Sequence, residues 1–224
     1  MANDYAAIRD RVEHYFDRTA TSAWERLTQS DAKVSKVRQT VREGRDRMRA
    51  IMLSRLPEDL NGCRVLDAGC GTGLMTTELA RRGAEVVAVD ISPQLISVAE
   101  DRLEPALREK VTFMAGDMTD PALGQFDYVV AMDSLIYYRA PDIGAILTNL
   151  GARTHSAIVF TVAPKTPFLM AFWGVGKLFP RSNRSPVMIP HALDKLQRHA
   201  GDSLMKIDRV VKGFYISECL EYRP

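Results

Sequence analysis

A glycine-rich loop that follows a short apolar strand places the strongest constraint on the fold of this chain. The segment CRVLDAGCGTG predicts a strand that ends near Asp67, and the next residues, LMTTELARR, predict a helix. Three alternate loop positions are glycine, namely Gly69, Gly71 and Gly73. Such glycines permit a tight turn and let a ligand approach the backbone closely. Because ligands of open parallel sheets bind at the carboxyl ends of the strands, the loop predicts a binding site there.

The rest of the chain from Asn61 predicts a doubly wound α/β domain. Short strands rich in Val and Ile alternate with helices up to HSAIVFTVAP, which is typical of a parallel sheet buried on both faces. Two last strands, near 205–212 and 214–222, predict an antiparallel edge hairpin around Gly213. We therefore expect a mostly parallel, seven-stranded sheet in a domain spanning 57–224, with a cap insertion at about 164–189. A helical arm, 1–56, precedes this domain.

Composition narrows the class of protein further. Apolar residues make up 46% and charged residues 26% of 224 residues, and the net charge is +2, so total charge gives no reason to expect a nucleic-acid partner. The three cysteines form no CxxC pair, and no secretory signal or run of eighteen apolar residues is present, so we expect a cytoplasmic protein with reduced thiols. The four histidines lack ligand spacing, so we expect no protein-bound metal.

The spacing of the loop disfavours two common nucleotide-binding functions. A dinucleotide fingerprint that starts at Gly69 requires a small third residue where this chain has Leu74, and the Gly-Lys-Ser/Thr of a P-loop is absent. A carboxylate at Asp67 would repel a pyrophosphate, whereas it would attract a ligand ammonium. Hydride transfer and nucleotide hydrolysis are therefore poor interpretations.

The pattern hxDxGxGxG resembles motif I of the class I S-adenosylmethionine-dependent methyltransferases, which have a Rossmann-like fold. Acidic residues also end the second, third and fourth predicted strands, where the family holds the ribose, the adenine and the methionine part of the cofactor. A carboxylate suits the ribose because it accepts two hydrogen bonds at once. The resemblance assigns the following residues to S-adenosylmethionine: Asp67, Gly69, Cys70, Gly71, Gly73, Asp90, Ile91, Asp117, Met118, Met132 and Asp133.

The flanking segments resemble a narrower family, the magnesium-protoporphyrin O-methyltransferases of (bacterio)chlorophyll synthesis. The resemblance rests on HYFDRTATSAWERL, KVSKVRQTVREGRDRMRAIML, MDSLIYY and FTVAPKTPFL. It implies methylation of one propionate of magnesium protoporphyrin IX, which gives the monomethyl ester and S-adenosylhomocysteine. The MDSLIYY segment also lacks the Asn/Asp-Pro-Pro-Tyr of enzymes that methylate amines of nucleic-acid bases.

The N-terminal region carries a basic helix. The segment from Lys33 to Arg55 contains eight basic residues and only two acidic ones. This excess indicates either a solvated surface or a basic wall beside an anionic ligand. Lys36 and Arg42 are candidates for binding the cofactor carboxylate or a porphyrin propionate. Aromatic residues of the arm and the cap could enclose a flat apolar disc or simply pack in a core; they are Tyr15, Phe16, Trp24, Phe168, Phe172, Trp173 and Phe179.

Carboxylate methylation requires little proton chemistry. A propionate with a pKa near that of Glu, about 4.3, is already ionised at neutral pH. We hypothesise that Tyr15 and Tyr137 orient the acceptor, although a packing role for each is an equal alternative. Some members of the resembling family have a histidine where this chain has Tyr137.

Other functions stay open on the sequence alone. One alternative is a methyltransferase of another apolar small molecule such as a quinone precursor, and a second is a porphyrin carrier that binds S-adenosylmethionine as a regulator. The resemblance suggests two further partners, the porphyrin-binding subunit of magnesium chelatase and the surface of the photosynthetic membrane. Peripheral membrane contact would involve the apolar segment 168–179.

Overall fold

The sheet positions the site, and its strand order follows from the alternation in the sequence. The structure is a computed structural model that describes residues 2–15, 36–170 and 187–224. Its strands run in the order β3-β2-β1-β4-β5-β8-β7, and the short β6 pairs with β5. The strands are β1 (Arg64–Ala68), β2 (Glu85–Asp90), β3 (Val111–Ala115), β4 (Phe126–Ala131), β5 (Thr154–Pro164), β6 (Pro190–His191), β7 (Leu204–Lys212) and β8 (Tyr215–Tyr222).

Strand β1 is the point at which the strand order reverses. It pairs in parallel with β2 on one side and with β4 on the other, and Asp67 lies opposite Ala88 and Val130. Strands β7 and β8 form the predicted antiparallel hairpin, with β7 at the edge. The expected doubly wound, mostly parallel sheet is therefore confirmed. The crevice at the carboxyl end of β1 is the position where such a sheet binds ligands.

Helices cover both faces of the sheet. In chain order they are α1 (Ala2–Tyr15), α2 (Lys36–Leu53), α3 (Leu74–Arg81), α4 (Pro93–Arg102), α5 (Ala140–Gly151) and α6 (Leu193–Ala200). The start of α4 illustrates the local rules, because the Ser92 hydroxyl accepts a hydrogen bond from the Leu95 amide at 3.3 Å and Pro93 occupies the first turn. Short 3-10 turns at Pro105–Lys110, Pro121–Leu123 and Leu135–Tyr137 complete the described connections.

One helix begins later than the sequence predicts. The sequence predicts a helix over 191–200 that ends at Gly201, but the helix begins at Leu193, because Pro190 and His191 pair with the end of β5. The predicted arm boundary at residue 56 and the cap at about 164–189 stay predictions. Residues 16–35 and 171–186 lie outside the described part, and with them the aromatic residues Phe16, Trp24, Phe172, Trp173 and Phe179.

Two apolar cores lie on opposite faces of the sheet. One joins α5 and α6 to the sheet and includes Phe126 and Phe160, and the other joins α2 and α3 to it. Helical spacing in the sequence predicts an apolar stripe, which consists of Val34 (outside the described residues), Val37, Val41, Gly44, Met48 and Ile51. Gly44 and Met48 of this stripe are buried in the structure, together with the neighbouring Met52. In the first turn Val37 is 49% exposed.

The described residues contain no helix that is long and apolar enough to cross a membrane. The three cysteines, Cys63, Cys70 and Cys219, are free, as the sequence predicts.

Candidate active site

The candidate site is an open cleft at the carboxyl ends of β1, β2 and β4. Residues of the glycine-rich loop, of α1 and of α2 line it. The cleft lies at the position where the strand order reverses, which is where open parallel sheets bind their ligands.

The glycine-rich loop follows a path that only glycine permits. Gly69 has a φ of +85°, and a Cβ there would lie 2.4 Å from the Cβ of Ser134. Gly73 has a φ of +80° and precedes α3, where a Cβ would lie 3.1 Å from that of Ala99. The Gly69 amide donates to the Val89 carbonyl at 2.7 Å, which ties the loop to β2. Backbone thus replaces side chains along this wall of the cleft.

Asp90, at the end of β2, is held in place by two backbone amides. The Gly71 amide donates to one carboxylate oxygen at 2.8 Å and the Ser92 amide donates to the other at 2.9 Å. A carboxylate has about four acceptor positions, so these bonds orient Asp90 without preventing it from accepting ligand hydroxyls. This geometry fits the ribose role that the resemblance implies.

Asp67 is buried at the base of the cleft. Burial raises its pKa to about 7, with a smaller contribution from the charge of Asp90, against the hydrogen bond that it accepts from the Thr76 hydroxyl at 2.6 Å. A cation that enters the cleft stabilises the ionised form of such a carboxyl group, so the carboxylate in turn attracts the cation. The site is therefore prepared for a positively charged ligand.

Asp117, which follows β3, makes contacts that the sequence does not reveal. The Tyr5 hydroxyl donates to it at 2.8 Å and the Arg9 Nη1 at 3.3 Å, so α1 is attached to the cleft. The Tyr5 ring stacks on Tyr138 with centroids 5.2 Å apart. Burial opposes the ionised form of Asp117, but hydrogen bonds from Thr119, Tyr5 and Arg9 together lower its pKa. Helix α1 thus forms one wall of the site.

Asp133, which follows β4, forms an ion pair with Arg45 of α2. The Arg45 Nη1 lies 2.5 Å from Oδ2, and the side chains are 14% and 8% exposed. Asp133 has a φ of +56°, which is rare for a residue other than glycine. The hydroxyls of Thr161 and Tyr215 donate to the same carboxylate, each at 3.1 Å.

The two tyrosines predicted to orient the acceptor differ in their relation to the cleft, since Tyr137 is among its lining residues and Tyr15 is not. Tyr137 lines the cleft, and Tyr15 at the end of α1 is near enough to act on it electrostatically. Burial raises the pKa of Tyr137 well above its ordinary value, and the charges of Asp133 and Tyr15 add to this effect, while Arg45 opposes it. A phenol in this state keeps its proton at neutral pH, so Tyr137 can donate a hydrogen bond but is poorly suited to accept a proton.

Most of the residues predicted to hold the cofactor line this one cleft. They are Asp67, Gly69, Cys70, Gly71, Asp90, Ile91, Asp117, Met118, Met132 and Asp133. Gly73 shapes the loop from behind. Lys36 and Arg42 are not among the lining residues, and the basic residue that α2 directs into the cleft is Arg45, one turn beyond Arg42.

Sequence reasoning missed Tyr5, Arg9, Val12 and Arg45, all of which line the cleft. The apolar Val12 and the pairing of Tyr5 with Arg9, four residues apart, form a helical face that could have signalled contact. Among the described residues, no group of three or more His, Cys, Asp or Glu side chains could hold a metal ion.

The set of carboxylates fits S-adenosylmethionine, since that ligand carries ribose hydroxyls, which carboxylates accept, and positive charges, which carboxylates attract. The fold and this cleft define a Rossmann-like S-adenosylmethionine-dependent methyltransferase. Family models agree: "methyltransferase domain" matches residues 65–154 and "magnesium-protoporphyrin IX methyltransferase C-terminus" matches 131–224. The chain is 84% identical over its full length, and over that of the relative, to magnesium-protoporphyrin O-methyltransferase of Rhodobacter capsulatus. It belongs to the magnesium-protoporphyrin O-methyltransferase family.

Similar proteins from other organisms extend the match. The magnesium-protoporphyrin O-methyltransferase of Synechocystis is 30% identical, over 96% of this chain and 97% of that protein. The crystal structure of magnesium protoporphyrin IX methyltransferase from Synechocystis PCC 6803 with bound SAH has a TM-score of 0.79 and 28% identity, and the match covers 96% of this chain and 99% of that one. The likeness therefore includes the segments outside the generic methyltransferase fold.

Proposed function

We propose that this chain transfers a methyl group from S-adenosylmethionine to a propionate carboxylate of magnesium protoporphyrin IX, giving the monomethyl ester and S-adenosylhomocysteine. The observation that carries the proposal is the cleft itself, in which a glycine-rich loop and a row of acids face the basic residue of α2. The full-length identity to a protein named for this reaction supports the choice of acceptor.

The carboxylates of the cleft would hold the co-substrate. Asp90 would accept the ribose hydroxyls, and Asp67, at the end of β1, would face positive charge. S-adenosylmethionine supplies a methyl group on a sulfonium, which is already a reactive donor. The remaining task of the protein is to present an acceptor oxygen to that methyl group.

The acceptor requires orientation more than proton transfer. A propionate is ionised at neutral pH, since its pKa is about 4.3. No histidine is among the described residues that line the cleft. Tyr137, with its raised pKa, would donate a hydrogen bond to the carboxylate and aim it, and Tyr15 would assist from α1. Holding the reacting atoms in line contributes on the order of 7 to 11 kcal/mol in favourable cases.

Water must leave the acceptor oxygen before transfer. Helix α1 contributes a buried residue, Val12, to the cleft wall and is attached through Tyr5 and Arg9 to Asp117. We infer that α1 covers the site during methyl transfer. The acceptor would enter the cleft before α1 has closed over it. Exclusion of water strengthens the hydrogen bonds and ion pairs inside the cleft.

The direct test is ester formation by the purified chain. Magnesium protoporphyrin and methyl-labelled S-adenosylmethionine are mixed with the protein, and we expect label in the monomethyl ester at catalytic turnover. A phenolic quinone precursor serves as the comparison acceptor, and it should take no label because a phenol with a pKa near 10 requires a base. Cofactor binding without any transfer to the porphyrin would reject the proposal and favour a carrier.

We further propose peripheral contact with the photosynthetic membrane and with the porphyrin-binding subunit of magnesium chelatase, for a protein otherwise in the cytoplasm. The apolar side chain of Phe168, 54% exposed, supports such a contact. Co-sedimentation with anionic lipid vesicles and with the purified subunit tests each partner separately, with Phe168→Ser as the variant. Equal binding of the variant to both would contradict a role for this segment.

A further inference from the structure

Arg45 is the basic residue of α2 that reaches the cleft, and its position follows from one close approach in the fold. A Cβ at Gly44 would lie 2.7 Å from Cδ1 of Tyr215, so the backbone of α2 rests directly on the start of β8. The salt bridge of Lys212 to Glu43, at 3.1 Å, ties the helix to the same hairpin. This packing brings Arg45, the next residue, against the cleft.

The ion pair of Arg45 with Asp133 is held rigidly from the protein side. The Asp133 amide donates to Thr161 Oγ1 at 2.7 Å, and the hydroxyls of Thr161 and Tyr215 donate to the Asp133 carboxylate. Three separate elements, β5, β8 and α2, thus converge on one carboxylate. A carboxylate fixed in this way can in turn fix the guanidinium that it binds.

The charge of this pair suits an anionic acceptor. Asp133 alone, beside the cleft, would repel a carboxylate that approached the methyl-transfer position. The guanidinium of Arg45 neutralises Asp133, and its planar fork of five N–H donors can bind a second carboxylate at the same time. Arg45 also acts electrostatically on Tyr137, the hydroxyl predicted to orient the acceptor. The arginine and the tyrosine therefore serve the same part of the cleft.

We propose that Arg45 binds the reacting carboxylate of the acceptor and that Tyr215 and Asp133 are positioning residues that hold Arg45 in place. The inference rests on the proposed carboxylate methylation and names the group that recognises the carboxylate. The carboxylate of S-adenosylmethionine is the other source of the same chemistry, and the test separates the two.

The test compares Arg45→Gln and Arg45→Lys with Arg47→Gln, which removes the same charge from an exposed position on the same helix. We expect Arg45→Gln to lower kcat/KM for magnesium protoporphyrin by about 30-fold or more, since it removes a charge-assisted partner from the carboxylate. Arg45→Lys should recover part of the loss, because an ammonium keeps the charge but not the fork. The affinity for S-adenosylhomocysteine, measured by calorimetry, should change by less than about 3-fold, and Arg47→Gln should match wild type.

The positioning role of Tyr215 is tested by a separate measurement. Tyr215→Phe removes only the hydroxyl that binds Asp133, and we expect kcat/KM for the porphyrin to fall by about 3- to 10-fold, which is the typical weight of one hydrogen bond. Combined with Arg45→Gln it should add no further loss, because both act through the same guanidinium. A purely structural effect would lower the melting temperature and add to that of Arg45→Gln.

Each outcome decides between the alternatives. If affinity for S-adenosylhomocysteine falls as far as kcat/KM, Arg45 binds the cofactor carboxylate and the inference is overturned. Unchanged kcat/KM in both Arg45 variants overturns it as well. If Arg45→Gln does not fold, Arg45→Lys carries the comparison. Absence of ester formation by the wild-type protein rejects the proposed function itself, and calorimetry with S-adenosylhomocysteine distinguishes that result from an inactive preparation.

Discussion

Binding of the cofactor product should release a proton, because Asp67 has a pKa of about 7 in the protein without ligand. The ammonium of S-adenosylhomocysteine favours the ionised form of a nearby carboxylate, so the pKa of Asp67 should fall towards its ordinary value of about 3.9 in the complex. The direction of the pH dependence of binding follows from this shift. Below pH 7 the free protein carries the proton and binding must remove it, so affinity falls as the pH is lowered.

The magnitude follows from the same pKa. A group with a pKa of about 7 is about 90% protonated at pH 6 and about 10% protonated at pH 8. The dissociation constant for S-adenosylhomocysteine should therefore be about tenfold higher at pH 6 than at pH 8, which corresponds to about 1.4 kcal/mol. Calorimetry in buffers of different ionisation enthalpy should count about 0.9 proton released at pH 6 and about 0.1 at pH 8.

Asp67→Asn is the matched control, since it keeps the shape of the side chain and one acceptor oxygen for the Thr76 hydroxyl but does not titrate. We expect it to bind more weakly at pH 8 and to lose the tenfold pH dependence. Titration of the ligand's own amino group is common to both proteins and cancels in the comparison. Equal wild-type affinity at pH 6 and pH 8, or a tenfold difference that persists in Asp67→Asn, would refute the reasoning.

Three further perturbations test the loop, the arm and the edge of the sheet. Gly69→Ala should weaken S-adenosylhomocysteine binding by roughly 30-fold or more, because it adds a clash to the strain of a positive φ, whereas Gly62→Ala, at a positive φ with open space around it, should cost only about 1 kcal/mol of stability. Tyr5→Phe removes the hydrogen bond to Asp117 and should speed amide exchange in residues 2–15 about tenfold, measured by mass spectrometry. Glu221→Gln should lower the free energy of unfolding at pH 7 by about 1 to 3 kcal/mol in urea titration, because two arginines bind this fully buried carboxylate.

Each of these three predictions can be contradicted independently of the others. Equal binding by the Gly69 and Gly62 variants would show that the loop tolerates a Cβ, and unchanged exchange in Tyr5→Phe would show that α1 is held by other contacts. The partners of Glu221 lower its pKa against the effect of burial. The stability that ionised Glu221 contributes should therefore be fully present above the pKa of an unfolded glutamate, about 4.3. It should be lost as the pH falls through the lower pKa that Glu221 has in the folded protein. A stability difference between wild type and Glu221→Gln that is constant from pH 7 to pH 3 contradicts this assignment.

Much of the site could be predicted because its parts are close together in the sequence. The glycine-rich loop lies within a few residues of Asp67, and each further acid ends or directly follows a strand, so the carboxyl edge of a parallel sheet brings them together. The cap of α4 at Ser92 is equally local, because Ser92 directly precedes Pro93 at the start of the helix. Patterns of this kind depend on backbone conformation and strand order, which short-range sequence signals specify well.

The contacts between distant segments could not be predicted in this way. Tyr5 and Asp117 are 112 residues apart, and nothing in either segment identifies the other as its partner. The sequence of α2 also did not identify which basic residue reaches the cleft, because a solvated face and a ligand-binding face have the same composition. The residues chosen from the sequence were Lys36 and Arg42.

The sequence by itself determined the sheet, the loop and the row of acids, since periodicity and turn chemistry fix which residues end a strand. Only the tertiary structure decided which cation of α2 enters the cleft. Gly44 lets α2 rest on Tyr215, and this contact, together with the buried Met48 and Met52, fixes the rotation of the helix that turns Arg45 inward. Helix rotation depends on packing between surfaces that are far apart in the chain, and the charge pattern of the helix does not record it.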